Sequence, residues 1–169
     1  MRRTALLLAA ALLLPACGDD EPKSSASREP SLSFTLPTGT PTPSIPATKP
    51  TRLLSTDVVV GTGKTAVPGN TLTVKYRGLH YDGKEFDSTF DPGDSTISFI
   101  LGGEEVIAGW DQGLIGMKEG GRRQLVIPPD LAYGPDGGGP IGPNETLIFI
   151  VDLVSVDAGV GPQNTFAPQ

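Results

Sequence analysis

The chain has 169 residues, 19 acidic against 13 basic side chains, a formal net charge of −6, 22 glycines, 17 prolines and one cysteine. This length predicts a single domain of ordinary size with extensions. The negative charge argues against nucleic acid as a partner. Glycine and proline are unevenly distributed along the chain, and their clusters mark the boundaries between its parts.

The first 17 residues predict a secretory signal. Arg2 and Arg3 form a basic start, residues 5–14 are apolar throughout, and the motif LPAC ends the run at Cys17. The apolar run is too short to span a membrane as a helix. Its Leu-x-Ala-Cys ending resembles the lipobox of bacterial lipoproteins, which implies a lipid anchor on Cys17 and a location on the outer face of the cytoplasmic membrane. Secretion with an unmodified cysteine is the alternative.

A proline-rich segment follows the signal. Residues 22–50 contain seven prolines and eleven serines or threonines, with few apolar residues to bury. Such a composition cannot offset the entropy lost on ordering, so we expect a disordered, partly polyproline linker over residues 18–55 that lifts the domain off the membrane. Residues 158–169 predict a disordered tail by the same reasoning. The folded domain is then expected over residues 56–157.

Strand periodicity is clear within this domain. Leu72, Val74 and Tyr76 alternate with polar residues, which places Tyr76 on the buried face of a strand. Asp82-Gly83 supplies the left-handed turn of a hairpin. Further alternating apolar residues predict strands of an antiparallel sheet with one covered face: Ile97, Phe99 and Leu101, and then Leu147, Phe149, Val151 and Leu153.

One short helix is expected around residues 109–117, and it would cover the sheet. Trp110, Leu114 and Met117 stand at i, i+4 and i+7, so they line one helical face. Trp110 is the only tryptophan of the chain. The predicted fold class is therefore α+β, with the tryptophan packed toward the sheet.

Three ordered segments carry a family resemblance: YRGLHYDGKEFDST at 76–89, EEVIAGWDQGL at 104–114 and PPDLAYG at 128–134. Together they resemble the FKBP-type peptidyl-prolyl cis-trans isomerases, and the resemblance covers roughly residues 57–157. It implies a half-open antiparallel sheet of about five or six strands wrapped around one short helix. It also implies that the chain accelerates rotation about X-Pro bonds, with no cofactor.

The resemblance assigns four catalytic positions: Tyr76, Asp87, Trp110 and Tyr133. Trp110 takes the place of the indole at the floor of the pocket, beneath the proline ring. Tyr133 would donate its hydroxyl to a substrate carbonyl, and Asp87 would present a carboxylate or orient Tyr76. The substrate-binding positions that it implies are Phe86, Ile97, Phe99, Glu105, Val106, Ile107, Ile141 and Phe149, with the backbone N–H of Ile107 as a second donor.

Some of these residues also have plain structural interpretations. Phe99 is equally well explained as part of the core, and Asp87 could cap the turn at Ser88. His80, the only histidine, is expected to be exposed. With no other histidine and no cysteine after Cys17, the domain does not support a His/Cys metal site.

The chemistry needs no nucleophile, because twisting an amide breaks no bond. The expected partners are proline-containing polypeptides, such as newly secreted chains, and macrolides of the rapamycin type. We expect a monomer that contacts the membrane through lipidated Cys17. The alternative function is a non-catalytic, FKBP-like module that recognises proline in one partner.

Overall fold

The structure is a computed structural model that describes residues 37–90 and 95–158. The predicted signal with Cys17, residues 18–36 of the predicted linker and residues 159–169 of the predicted tail lie outside the described residues. Within the two described ranges, no helix is long and apolar enough to cross a membrane.

Strands dominate the described residues. In chain order they are β1 (Leu54–Val59), β2 (Thr71–His80), β3 (Glu85–Ser88), β4 (Ile97–Ile100), β5 (Arg122–Ile127) and β6 (Leu147–Asp157). Helix α1 (Ala108–Gly113) lies between β4 and β5, and a short 3-10 helix (Pro129–Leu131) follows β5. All pairings between the strands are antiparallel, in the order β1-β5-β6-β2-β3, with β4 paired to β2. The predicted fold class, an antiparallel sheet with one short helix, is confirmed.

Strand β2 pairs with two different strands along one edge. Its first half, from Thr71 to Val74, pairs with β4, and its second half, from Arg77, pairs with β3. Thr89 bridges the interval at Tyr76: the Tyr76 N–H donates to Thr89 Oγ1 at 2.8 Å, and the Thr89 N–H donates to Tyr76 O at 2.9 Å. The partner of β2 along this edge therefore changes from β4 to β3 beside Tyr76.

The hairpin between β2 and β3 forms as its sequence predicts. Gly83 has φ +87°, a conformation that glycine adopts at little cost. Its N–H donates to His80 O at 2.9 Å, and the Asp82 carboxylate accepts the Lys84 N–H at 2.9 Å. The Asp-Gly pair thus sets the turn, and the turn sets the register of β3.

Helix α1 is shorter than the predicted range of 109–117. It ends at Gly113, where Leu125 packs so closely that an added Cβ would lie 2.7 Å from Leu125 Cδ2, and Gly116 then reverses the chain with φ +76°. Leu114 and Met117 are still buried, at 0% and 2% exposure. The apolar positions were predicted correctly, but Met117 reaches the core from a turn after the helix.

The core lies between the helix and the inner face of the sheet. Alternate residues of the strands point to this face, as the period of a strand requires. The main buried contributors from β2, β5 and β6 are Leu72, Val74, Leu125, Ile127, Leu147, Phe149, Val151 and Leu153, which form one cluster with Trp110.

A buried ion pair stands on the outer face of the sheet. Arg122 Nε donates to Asp152 Oδ1 at 2.6 Å, and Arg122 Nη2 donates to Asp152 Oδ2 at 2.7 Å. The two side chains are only 8% and 1% exposed. Because this two-point geometry satisfies both charges, the pair is tolerated in a buried position.

Residues 37–50, which we call the strap, run along the same outer face. Pro41 is buried, and side chains from β2 and β5 hydrogen-bond the strap backbone at Pro41 and Ser44. A disordered linker was predicted over residues 18–55, whereas the structure shows the strap, within its C-terminal part, in contact with the sheet. A proline-rich segment leaves its carbonyl groups without partners, and here side chains of the sheet donate to them.

Candidate active site

A cavity of about 440 Å³ opens between the inner face of the sheet and helix α1. Its volume falls within the range of about 300–1,000 Å³ that is typical of ligand sites. The residues that line it are Tyr76, Phe86, Asp87, Ile97, Glu104, Glu105, Val106, Ile107, Trp110, Tyr133 and Phe149. The structure thus brings together residues from β2, β3, β4, β6, the helix and the loop after β5.

Trp110 forms the inner end of the cavity and is 3% exposed. Helix α1 brings its indole against Tyr76 and Phe149, with ring centroids 5.2 Å and 5.3 Å away and near-perpendicular planes. Edge-to-face packing of this kind is favourable because ring edges and faces carry opposite partial charge. The indole N–H is buried and has no hydrogen-bond partner among the described residues. The floor of the cavity is therefore a closely packed aromatic surface that carries one unpaired N–H donor.

Phe86 and Phe149 continue the aromatic wall, with centroids 5.7 Å apart and planes at 87°. Both rings lie over Gly78 of β2, because an added Cβ at Gly78 would lie 2.7 Å from Phe86 Cζ and 3.0 Å from Phe149 Cε1. A glycine at this position gives the two rings their space. Gly78 was not predicted as a site residue, since a glycine within a strand gives no sign of which side chains cross it.

Replacing Gly78 by alanine is expected to destabilise the domain by about 1–3 kcal/mol, as overpacking usually does, and to raise KM for peptide substrates. Equilibrium denaturation and peptide kinetics measure the two effects. Gly142→Ala is the matched control, since an added Cβ there meets Glu145 Oε2 only at 3.4 Å. Equal effects of the two substitutions would contradict the role of Gly78.

Asp87 and Tyr76 form the polar element of the wall. The Tyr76 hydroxyl donates to Asp87 Oδ2, and Asp87 Oδ1 accepts the Ser88 N–H at 2.9 Å. The turn-capping role and the pocket role of Asp87 therefore coexist. Burial raises the pKa of the Tyr76 hydroxyl, and the hydrogen bond to Asp87 and its negative charge raise this pKa further. Tyr76 is thus a neutral donor throughout the physiological range.

The raised pKa of Tyr76 predicts a pH dependence of stability. An unfolded tyrosine ionises near pH 10, whereas folded Tyr76 keeps its proton to higher pH. Its contribution is therefore complete below about pH 10 and declines above it, by at most about 1.4 kcal/mol per pH unit. Urea denaturation at pH 9 to 11 should show a steeper loss for the wild type than for Tyr76→Phe. Parallel losses would contradict this prediction.

Negative charge surrounds the mouth of the cavity. Glu104 has φ +57°, a conformation that is uncommon for a residue with a side chain. Asp111 of helix α1 holds this turn by accepting the N–H groups of Gly102 at 2.8 Å and Glu104 at 3.2 Å. Glu105 Oε2 accepts the Ile100 N–H at 3.0 Å. Glu104 was not predicted to line the cavity, because its position depends on these contacts with the helix.

Two free donors face the same region. Tyr133, in the loop after the 3-10 helix, is 43% exposed, and its hydroxyl has no hydrogen-bond partner among the described residues. Ile107 is the N-cap of α1, so its N–H lies at a helix start, where N–H groups have no acceptor within the helix. Both groups are available to a ligand carbonyl.

Phe99 and Ile141 were predicted to bind substrate, but the structure does not place them on the cavity wall. Phe99 is 4% exposed and packs behind Trp110 at a centroid distance of 5.6 Å. Ile141 is 6% exposed and pairs through its backbone with Gly138. Both belong to the core beneath the cavity, whereas Ile97, two residues before Phe99 on the same strand face, reaches the wall.

His80 is not exposed as expected. Its side chain is 18% exposed, its ring lies 5.1 Å from that of Phe86, and Nδ1 is 2.6 Å from Glu145 Oε1. Glu145 also accepts the Gly142 N–H at 2.8 Å, so it ties β2 to the loop before β6. Among the described residues, no group of three His, Cys, Asp or Glu side chains is arranged to hold a metal.

A cavity of this kind defines a protein that binds and orients an apolar segment. Its lining is largely aromatic and aliphatic, and the described residues that form it include no serine, threonine, cysteine, lysine or histidine. Its polar groups can orient a peptide, but none of them is an activated nucleophile.

Sequence and structure comparisons identify the family. Residues 62–154 match the model of the FKBP-type peptidyl-prolyl cis-trans isomerases. An FK506-binding protein of Streptomyces anulatus is 49% identical over 110 residues, which cover 63% of this chain and 88% of the relative. The chain belongs to the FKBP-type peptidyl-prolyl cis-trans isomerase family and is an enzyme of that type.

Solved structures agree with this identification. The crystal structure of FkpA from Escherichia coli has a TM-score of 0.58 at 44% identity, covering 63% of this chain and 48% of that chain. The crystal structure of AtFKBP13 has a TM-score of 0.57 at 39% identity, covering 61% of this chain and 91% of that chain.

Proposed function

We propose that this isomerase acts outside the cytoplasm on X-Pro bonds of secreted or envelope proteins, held at the outer face of the membrane by a lipid on Cys17. The observation that carries the catalytic part is the aromatic cavity floored by Trp110, with free donors at its mouth. The secretory signal and the LPAC motif support the extracytoplasmic part.

The proposed mechanism stabilises the twisted amide. Rotation about the X-Pro bond removes conjugation between the carbonyl and the nitrogen, so the group becomes less polar at the barrier. An apolar cavity favours this twisted state over the planar one, and catalysis follows from that difference. Uncatalysed exchange takes tens to hundreds of seconds. No step requires a bond to break.

The residues take distinct roles in this proposal. Trp110 supports the proline ring, and the Tyr133 hydroxyl and the Ile107 N–H hold the neighbouring carbonyl groups of the substrate. Asp87 fixes the Tyr76 ring through the hydrogen bond between them. A carbonyl held by fixed donors cannot follow the rotation of the proline, so the strain is concentrated on the X-Pro bond.

A protease-free assay of cis-to-trans relaxation in short X-Pro peptides tests the function. Asp87→Asn is expected to lower kcat/KM by about tenfold, which corresponds to about 1.4 kcal/mol of lost transition-state stabilisation. Asp82→Asn is the matched control, because it makes the same charge change in the exposed hairpin turn, outside the cavity. No acceleration by the folded wild-type chain would refute the catalytic proposal.

The negative charge at the mouth of the cavity indicates which peptide substrates are preferred. Asp87, Glu104 and Glu105 line the cavity, and no lysine or arginine does so among the described residues. We expect peptides with lysine beside the X-Pro pair to react faster than those with glutamate, and salt should reduce the difference. Equal rates at low salt would exclude a role for these carboxylates in substrate choice.

FK506-type macrolides are the proposed small-molecule ligands, because relatives of this chain carry the name FK506-binding protein. The only tryptophan of the chain lies at the floor of the cavity, so its fluorescence reports directly on occupancy. Titration with FK506 should change this emission and inhibit the isomerase in parallel. A change in neither signal would contradict this assignment.

The membrane attachment is tested on the whole chain in a bacterial host. Processing at the LPAC motif and acylation would leave Cys17 as the lipid-bearing first residue, and two or more acyl chains give stable anchoring. Mass spectrometry of the mature N-terminus should find this lipid. Cys17→Ser should move the protein from the membrane to the soluble fraction, whereas an unmodified Cys17 would support secretion instead.

A further inference from the structure

The outer face of the sheet carries a second group of contacts with proline-rich chain, away from the catalytic cavity. Arg77 Nη1 donates to Pro41 O at 2.9 Å, and the Tyr81 hydroxyl donates to Pro46 O at 2.6 Å. Arg122 Nη2 lies 3.2 Å from Pro37 O and 3.3 Å from Gly39 O. All of these bonds run from a side chain at the sheet to a backbone carbonyl of the strap.

Gln124 makes the most specific of these contacts. Its Nε2 donates to Ser44 O at 2.6 Å, and its Oε1 accepts the Ser44 N–H at 2.7 Å. One side-chain amide thus forms hydrogen bonds with both backbone polar groups of one residue, as a neighbouring strand would. Ser44 lies between Pro43 and Ile45-Pro46, and prolines have no N–H to offer. The contact therefore fixes the register of the strap.

Two of the donors are held in place by the sheet itself. Arg122 is clamped by Asp152, and Arg77 is paired with Glu85 of β3. Arg77 and Gln124 both stand opposite Ile150 in the register of the sheet, and Ile150 is 1% exposed. The face therefore presents a row of donors on an apolar base, and two of them, Arg77 and Arg122, are held by partners outside the strap.

These features match the way proteins recognise polyproline segments. An extended proline-rich chain makes no internal hydrogen bonds, so its carbonyls are free, and aromatic side chains with nearby donors bind it at a low entropic cost. Tyr81 supplies an aromatic ring: its hydroxyl donates to Pro46 O, and Lys49 Nζ of the strap lies 5.6 Å from the ring centroid. A groove of about 340 Å³ remains between Ser44, Pro46, Leu54 and Val126, so the strap does not fill the face.

We propose that the outer face of the sheet is a second proline-recognition surface, which binds extended proline-rich backbone through Arg77, Tyr81, Arg122 and Gln124. Its occupant is the chain's own strap, residues 37–50. This surface differs from the catalytic cavity in chemistry, since it binds carbonyls along an extended segment and encloses no proline ring. The inference does not depend on the catalytic proposal.

Amide hydrogen exchange in the whole chain tests occupancy. The Ser44 N–H should be protected in the wild type, and Gln124→Ala should make it exchange about tenfold faster or more, since it loses its only acceptor contact in the described residues. Gln112→Ala, on the exposed side of α1, is the matched control and should leave Ser44 protected. Equal exchange of Ser44 in wild type and Gln124→Ala would overturn the proposal.

A second experiment tests recognition itself. A specific protease site is inserted between Thr51 and Arg52, which are both exposed, and the whole chain is cleaved. The released piece should co-elute with the domain, and an excess of a labelled peptide of residues 37–50 should displace it. A peptide with alanine at Pro41, Pro43 and Pro46 should bind about tenfold more weakly.

Folding of the cleaved domain is verified by its tryptophan emission and its isomerase rate on X-Pro peptides. Separate elution of the piece from a folded domain, with no saturable binding of the labelled peptide, would overturn the recognition surface even if Ser44 were protected in the intact chain. A domain that unfolds on cleavage and refolds when the peptide is added would support it.

Discussion

Replacement of Asp152 by alanine is expected to lower the free energy of unfolding by about 3–5 kcal/mol, the cost of breaking a buried ion pair from one side. The Arg122 guanidinium would then be buried without a counter-charge, because its side chain is only 8% exposed. Urea denaturation followed by circular dichroism measures the loss.

A double substitution separates the cost of the orphaned charge from the value of the pair. Arg122→Met with Asp152→Leu replaces the pair by apolar side chains of similar size, and it should recover most of the lost stability. Asp152→Asn keeps the shape and loses only the charge, so it should fall between the wild type and alanine. A loss below about 1 kcal/mol for Asp152→Ala would show that the pair is solvated.

Replacement of Trp110 by alanine is expected to cost about 3–5 kcal/mol and to reduce kcat/KM by at least about tenfold. The indole is 3% exposed and packs against Tyr76, Phe99 and Phe149, so its loss leaves a hole at the floor of the cavity. Neither the proline ring nor the aromatic walls would then have a rigid base. Circular dichroism is needed to follow unfolding, since the chain has no other tryptophan.

Trp110→Phe is the matched control, because it keeps an aromatic ring at the floor. It should retain most of the stability and a larger part of the activity than Trp110→Ala. The assay is run well below the denaturation midpoint of each variant, so that only folded chains contribute to the rate. A folded alanine variant with the wild-type rate would exclude Trp110 from the proposed mechanism.

The local sequence pattern was sufficient to predict the strands and the hairpin. The alternation that ends at Tyr76 has the period of a strand, and Gly83 adopts the positive φ that its turn requires. Both depend on contacts within a few residues, which is the range over which periodicity is informative. The boundaries of the helix were less predictable, because α1 ends where Gly113 meets Leu125 from another element.

Periodicity could not predict which residues on one face of a strand reach the cavity. Ile97 and Phe99 point to the same face of β4, yet only Ile97 lines the cavity. The difference arises because the sheet divides beside Tyr76, and Val74, the partner of Ile97, is the last residue of β2 to pair with β4. Glu104 escaped prediction for a similar reason, since Asp111 sets its backbone conformation from the following helix.

The strap was the largest difference from expectation. Composition measures how much apolar surface a segment can bury, and the strap has little. It gives no information about donors that lie far away in the sequence, such as Gln124, which is 80 residues from Ser44. A proline-rich segment with free carbonyls can be ordered by such donors.

Strands β3 and β4 each take their register from a different half of β2, so neither depends on the length of chain that joins them. Residues inserted between Phe90 and Ile97 would therefore leave both pairings, and the contacts of Thr89 with Tyr76, intact. Asp87 and Ile97, at the two ends of this connection, both line the cavity. New recognition sequences could be grafted there, beside the cavity, to redirect this enzyme toward chosen clients.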